Sequence, residues 1–338
     1  MTQKWLSGIG AATLVALAVV VFINAGSVEN SPNNNRASDK DSPAAKDYRV
    51  YALPIRGSVQ FAGEKVPLND PEVRERYDRE ILSNTYFQSQ GLLYFKRANR
   101  YFPTIEPILK QHNIPDDFKY LALIESGLMN VVSPAGAAGF WQFMKTTGPQ
   151  YGLEVNNYVD ERYHLEKATH AACKYLNDAY KKFGSWALAA AAYNAGPARI
   201  EKSLSEQRVS NYFDLYLNTE TARYVFRIMA VKEILENPVE YGFHFDEEDL
   251  YTSNNTYDIQ VSKTISNLAD FAIEHGVTYK LLKHYNPWLR SAMLPVNGDN
   301  QYTITLPQRH VHHVMSDIFE NETDADVVIP SENTETNE

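Results

Sequence analysis

Residues Phe118 to Met144 read FKYLALIESGLMNVVSPAGAAGFWQFM. The run Phe118 to Ile124 is apolar on nearly every side, the pattern of a helix buried in a core rather than laid on a surface. It ends at one carboxylate, Glu125, followed by Ser126 and Gly127. Burial disfavours the ionised form of a carboxyl group, so the pKa of Glu125 should rise. A carboxylic acid held protonated near neutral pH can act as a general acid. The competing reading is a structural ion pair between Glu125 and a core Lys or Arg. Downstream, Ser133 to Gly139 (SPAGAAG) forms a small-residue loop with Gly136 and Gly139 three apart, followed by an aromatic segment around Gln142. Such glycines permit close backbone approach or positive φ, although a plain helix–helix connector has the same composition.

Helical patterns extend outward from this stretch, from about residue 70 to about residue 237. Asp70 and Pro71 read as an N-cap and first-turn pair ahead of EVRERYDREIL. Tyr86 to His112 reads as one helix broken near Pro103. Asn113 to Asp117 (NIPDD) is expected to open the central helix, with Pro115 in its first turn and two acids at the positive end of its dipole. A long helix follows Asp160 and Glu161, with apolar positions 168, 172, 175, 176, 179 and 183 at helical spacing. Gly184 closes it. Ser185 caps WALAAAAYNAG, whose four alanines, Ala189 to Ala192, imply very close packing. Tyr193 and Asn194 stand at the end of that helix. The last helix of the body follows NTETARYVFRIMAVKEIL, with Thr219 as its cap. Ahead of the helices, Tyr48 to Pro67 holds enough alternation for one or two edge strands.

Composition narrows the function. The net charge is −10 and no Lys/Arg cluster is present, which argues against nucleic acid as a partner. The 22 Tyr suit cores and sugar-binding surfaces alike. The single cysteine, Cys173, rules out an intrachain disulfide and reads as a small buried residue, with nothing beside it to activate a thiol. Residues 1–26 contain an uncharged stretch of 19 residues, Trp5 to Ile23, after Lys4. It lies at the border between a signal-peptide core and a membrane anchor, and either implies export. Residues 27–47 are Asn-, Ser-, Asp- and Pro-rich and read as a disordered tether. Residues 320–338 read as an acidic, disordered tail.

Four segments occur in an order that resembles the family 23 glycoside hydrolases, the enzymes similar to soluble lytic transglycosylases and goose-type lysozyme. They are Glu125–Ser126, the segment SPAGAAGFWQFM from Ser133 to Met144, AAYNAG from Ala191 to Gly196, and ETARYV from Glu220 to Val225. The resemblance covers roughly residues 70 to 240. It departs from the family pattern at Lys145, where many relatives have Pro, and at Phe140–Trp141, where Leu-Met is commoner. The spacing from Glu125 to Ser133 is one residue shorter than in the soluble enzymes. The resemblance implies a mainly α, lysozyme-like catalytic domain over 48–245. It also implies cleavage of the β-1,4 bond between N-acetylmuramic acid (MurNAc) and N-acetylglucosamine (GlcNAc) in peptidoglycan, leaving a 1,6-anhydro end. Glu125 would be the catalytic acid, which then takes the proton of the C6 hydroxyl. The acetamido oxygen of the substrate would stabilise the cation, so no second carboxylate is needed.

Ser133, Gln142, Met144, Tyr193 and Asn194 would line the sugar subsites, with Tyr193 near the acetamido group. Ser126 and Glu220 would support the site, Glu220 by bonding Tyr193; its alternative is a capping-box residue after Asn218 or Thr219. The resemblance implies neither a metal nor an organic cofactor. A hydrolytic muramidase and a non-catalytic wall-binding protein are the alternatives. The implied location is the periplasm or the membrane-associated envelope of a bacterium, with any membrane association through the N-terminal segment.

After about Gly242 the pattern changes. FDEEDLYTSNN reads as an acidic linker, and residues 255–308 follow a β-α-α-β order: YDIQV, TISNLADFAIEH, VTYKLLKHYNPWL, QYTITLP. This resembles a LysM module, a binder of peptidoglycan glycan. Asn286–Pro287–Trp288 and the terminal Ile304 to Pro307 fit the pattern, whereas Ser262–Lys263–Thr264 stands where Gly-Asp-Thr is usual. His310, His312 and His313 suggest a metal, but no carboxylate or Cys at ligand spacing accompanies them, so a solvated helix face is the better reading.

Overall fold

In the computed structural model the run around Glu125 is a helix at the centre of the body, and the elements around it are named in chain order. They are β1 (Gln60–Phe61), β2 (Glu64–Lys65), α1 (Pro71–Thr85), α2 (Gln88–Gln111), α3 (Phe118–Ser126), α4 (Leu165–Phe183), α5 (Trp186–Ala195), α6 (Pro197–Gln207), α7 (Thr219–Glu236), β3 (Thr256–Val261), α8 (Leu268–Glu274), α9 (Tyr279–Tyr285) and β4 (Tyr302–Pro307). The structure describes residues 50–308. The expected signal or anchor, the tether, the three histidines and the acidic tail all lie outside the described residues. Among the described residues no helix is long and apolar enough to cross a membrane.

The central helix α3 buries Phe118, Tyr120, Leu121, Ala122, Leu123, Ile124 and Ser126. Its start differs from the expectation. Residues 115–117 form a turn, and α3 begins only at Phe118, with no acid in its first turn. Asp117 serves tertiary structure instead, accepting hydrogen bonds from Lys232 of α7 (2.6 Å) and from the amide of Ala62 (2.6 Å). That second bond seats the β1–β2 hairpin, whose turn carries Ala62 and Gly63 at φ 51° and 82°, as a two-residue hairpin of primed type requires. Glu64 beyond the turn accepts from the Ser185 hydroxyl (2.8 Å) and from the amides of Trp186 and Ala187, so a carboxylate sits on the positive end of α5.

Capping explains most helix boundaries. Asp70 accepts from the amide of Glu72 ahead of α1, and Ser185 from that of Leu188 ahead of α5. Two expectations are corrected. The α2 helix is not broken at Pro103. It runs through Pro103 and Pro107, which lie four apart on its exposed face, where the carbonyls their rings leave unbonded can meet water. The cap of α7 is Asn218, which accepts from the amide of Thr221 (2.8 Å), and Thr219 is the first helical residue. Pro197, read as a stop for α5, also begins α6. Ala189 to Ala192 are fully buried, so α5 packs against its neighbours with no side chain longer than a methyl across those positions.

The C-terminal module has the expected β-α-α-β order. Its two strands pair antiparallel, from Thr256 opposite Pro307 to Val261 opposite Tyr302. Tyr302, Ile304 and Leu306 point inward with period two. The fully buried Asn286 donates to the carbonyls of Leu282 (2.9 Å) and Thr305 (2.7 Å) and accepts from the amide of Thr305 (2.9 Å), locking the end of α9 to β4. The acidic linker is not a free tether. Lys96, Asn99 and Arg100 of α2 donate to the carbonyls of Asp249, Tyr251 and Thr252, and Arg100 lies over the Tyr251 ring (4.9 Å).

The module is continuous with the body. Ala138, Val159 and Tyr163 share a hydrophobic cluster with Leu282, Trp288 and Leu289. His164 stacks with the Trp288 ring (6.2 Å), and burial pushes its pKa down to about 4, with Lys167 adding to the effect against the charges of Glu161 and Asp258. An unfolded His takes up its proton below about 6.5, whereas His164 in the fold stays neutral down to about 4. The stability that His164 contributes is therefore lost as pH falls through that window. His164→Gln removes this contribution, so the melting temperature of the variant relative to wild type should rise as pH falls from 6.5 to 5.

Candidate active site

The site begins where α3 ends. Gly127, at φ 62°, closes the helix and stops it one residue after the buried Ser126. This leaves the Glu125 side chain at a helix end, where it accepts a hydrogen bond from the hydroxyl of Tyr224 on α7. Burial raises the Glu125 pKa to about 7. The Tyr224 bond and the charge of Arg227 pull it down, and the charge of Glu220 pushes it further up. The group therefore exchanges its proton near neutral pH and can both give and take one. Tyr224 and Tyr193 are held far above the usual phenol range by burial and by the Glu125 charge, so both remain neutral donors.

A folded loop is fastened to the same helix end, where Ser126 donates to its Phe140 carbonyl. Ser133 bonds Ala137 twice, through its amide to the carbonyl (2.8 Å) and through its hydroxyl, which accepts from the amide (3.0 Å). The amide of Ala138 donates to the Phe143 carbonyl and that of Gly139 to the Val131 carbonyl, each at 3.0 Å. Gln142, at φ 48°, donates its side-chain amide to the carbonyls of Gly139 (2.7 Å) and Val131 (3.1 Å). Three further bonds fasten the loop to the helices. Ser126 donates to the Phe140 carbonyl (2.9 Å), Tyr193 to the Trp141 carbonyl (2.7 Å) and the Trp141 indole to Thr169 (2.8 Å). Met144, 40% exposed, ends the segment at the surface.

The residues singled out from sequence thus fall into two connected groups. Glu125, Ser126, Gln142 and Tyr193 are linked through α3, the loop and α5. Asn194 and Glu220 join at the start of α7, where Asn194 donates to Glu220 (3.3 Å) and accepts from the Thr221 hydroxyl (2.8 Å). The expected bond between Glu220 and Tyr193 is absent among the described residues, since Tyr193 donates to Trp141. The capping-box reading of Glu220 also fails, because Thr221 occupies the third helical position after the Asn218 cap.

Tyr224, which bonds Glu125, and Arg227, whose charge acts on it, are the neighbours of the acid that sequence reading missed. Tyr224 lies inside ETARYV, four residues after Glu220 and hence on the same helix face. That offset was the available signal. Cys173 is fully buried and its thiol is pushed up to about 12, as an inert structural residue. Among the described residues no group of three or more His, Cys, Asp or Glu is arranged to hold a metal ion.

An α-helical body with a half-buried acid at a helix end, and a glycine-bearing loop fastened to that end through Ser126, agrees with the family comparison. Residues 103–215 match the model of the transglycosylase SLT domain, and residues 257–310 match that of the soluble lytic transglycosylase C-terminal LysM-like domain. The two matches fall on the helical body and on the β-α-α-β module. Among curated proteins it is similar to membrane-bound lytic murein transglycosylase D of Escherichia coli (strain K12), 27% identical over 271 residues covering 78% of this chain and 58% of that protein. The same protein from a second Escherichia coli strain matches equally. The chain thus spans less than two thirds of the length of the curated relatives it matches. A solved structure of an inactive mutant of lytic transglycosylase Slt from Pseudomonas aeruginosa is 22% identical, with a TM-score of 0.34 over 46% of this chain and 27% of that one. The SLT match holds Glu125, the loop, Tyr193 and Asn194. Tyr224, which bonds the acid, lies beyond it.

Proposed function

We propose that this chain is a peptidoglycan lytic transglycosylase that cleaves the MurNAc-β-1,4-GlcNAc bond and leaves 1,6-anhydro-MurNAc ends. The observation that carries this reading is Glu125, a helix-end acid raised by burial to about 7 and bonded to Tyr224 within a matched SLT domain. Protonated Glu125 gives its proton to the glycosidic oxygen, and the bond from C1 to that oxygen breaks. The acetamido oxygen of MurNAc shields the positive charge at C1. The C6 hydroxyl oxygen then bonds C1 and returns its proton to Glu125, so no water is consumed. One carboxyl group thus acts as acid and then as base, where ordinary retaining or inverting glycosidases use two. Glu220, whose charge reaches Glu125, is tied to Asn194 and serves as a support.

Ser133, Gln142, Met144, Tyr193 and Asn194 line the glycan cleft in this reading. Tyr193 supports it best, because its neutral hydroxyl joins α5 to the loop beside the acid. The membrane-bound relatives and the apolar N-terminal segment favour an exported, envelope-associated enzyme.

The test is digestion of purified sacculi by wild type and Glu125→Gln. Wild type should release soluble muropeptides and the variant none, with wall binding intact in both. Release by neither protein would transfer the reading to a wall-binding protein. Tyr224→Phe provides a second check. Its lost hydrogen bond favoured the ionised acid, so Glu125 should hold its proton to higher pH. The alkaline limb of the kcat/KM profile should move to higher pH, while kcat falls because the carboxyl group loses its orienting partner.

A further inference from the structure

We propose that the LysM-like module is a positioning element for the glycan-binding loop, an inference that rests on the function proposed above. Residues 158–164 lie between the two. On one side this segment carries the module through backbone bonds. The amide of Asp160 donates to the Trp288 carbonyl (2.8 Å), the amide of Arg290 donates to the Tyr158 carbonyl (2.7 Å), and Val159 and Leu289 form an antiparallel bridge. Side chains reinforce it. Trp288 is 4% exposed and stacks with Tyr302 (5.7 Å), the Arg290 guanidinium lies over the Tyr163 ring (4.3 Å), and the Tyr302 hydroxyl donates to Glu154 (3.1 Å).

The other side of the same segment carries the loop. Arg162 donates to the carbonyls of Gly136 (3.0 Å) and Phe143 (3.1 Å), the two ends of the stretch that holds Gly139 and Gln142. The Asp160 carboxylate orients that guanidinium through bonds of 2.9 and 2.7 Å. Gly139 packs on the carbonyl of Arg162 so closely that an added Cβ would lie 1.8 Å from it. Asp160 is thus shared, its amide bound to the module and its carboxylate to the arginine that holds the loop. A module attached only as a wall tether would need none of these bonds, and its Trp288 face would be free for glycan. Here that face is occupied by the catalytic body.

The test uses the full chain carrying Trp288→Ala, with Trp288→Phe as the conservative partner and Arg290→Ala as a variant outside the module's core. Two quantities are read: hydrogen exchange of amides in residues 131–147, and steady-state kinetics on soluble glycan fragments. Trp288→Ala should speed exchange in the loop and lower kcat/KM about tenfold through KM, and Trp288→Phe should restore both. The pH midpoint assigned to Glu125 should stay in place, because the α3–α7 contact is untouched. Unchanged loop exchange and KM, with only sacculus binding weakened, would overturn the proposal in favour of a tether. Where Trp288→Ala does not fold, Arg290→Ala decides by the same readings: faster loop exchange supports the proposal and unchanged exchange refutes it. Absence of wild-type glycan cleavage would defeat the proposed function, whereas hydrogen exchange would still decide whether the module holds the loop.

Discussion

Glu125→Gln should lower peptidoglycan turnover by about three orders of magnitude, the middle of the range for loss of a general acid–base group. The amide keeps the shape of the side chain and can still accept from Tyr224, but it can neither give the proton to the glycosidic oxygen nor take one from the C6 hydroxyl. Stability should move the other way. The Glu125 pKa is about 7 in the fold against an ordinary 4.5, so the folded state binds more protons than the unfolded chain between those values. Stability therefore falls as pH rises through that window, by on the order of 2–3 kcal/mol. A neutral amide does not incur that loss. At pH 7.5 the variant should melt at or above the wild-type temperature, and melting curves beside turnover assays check both halves. An inactive variant that is also much less stable would indicate a structural ion pair rather than a buried acid.

Gly139→Ala should be the most destabilising small substitution in the loop, costing about 3 kcal/mol or more. Two effects combine. Gly139 holds φ at 80°, a region side chains rarely adopt, and the new methyl would collide with the backbone carbonyl of Arg162. That carbonyl cannot retreat easily, because the Arg162 guanidinium is fixed by Asp160, Gly136 and Phe143. Gly136 is an internal control. It has almost the same φ, 85°, but nothing within 4 Å of an added Cβ, so Gly136→Ala should cost only about 1 kcal/mol. Denaturant unfolding of the two variants separates strain from collision. Equal losses would mean that the contact with Arg162 is unimportant. In the proposed mechanism Gly139→Ala also displaces the loop from the acid, and activity should fall about a hundredfold.

What was legible in the sequence had local causes. The apolar run before Glu125, the Asp70 and Ser185 caps and the four alanines each act within one or two turns, so periodicity and residue type reveal them. The β-α-α-β order of the module was readable for the same reason. Some local readings still failed where tertiary structure competed. Pro103 and Pro107 are tolerated within α2 because both face solvent, and Asp117 leaves the dipole of α3 to bind Lys232 and Ala62. The site was only half legible. Glu125 stood out by burial, but the hydroxyl that orients it comes from Tyr224, 99 residues away in sequence. The Asp160–Trp288 link likewise joins two segments with no shared period, and only the folded chain brings them together.

The central claim is that one buried acid closes the C6 hydroxyl onto C1 without water, and the products report on it directly. Sacculi should be digested by the wild-type chain in heavy-oxygen water and the new glycan ends analysed by mass spectrometry. The account predicts anhydro-MurNAc ends that carry no heavy oxygen and resist borohydride reduction, from wild type and not from Glu125→Gln. Reducing ends that carry heavy oxygen would contradict it, leaving Glu125 as the acid of a muramidase that admits water.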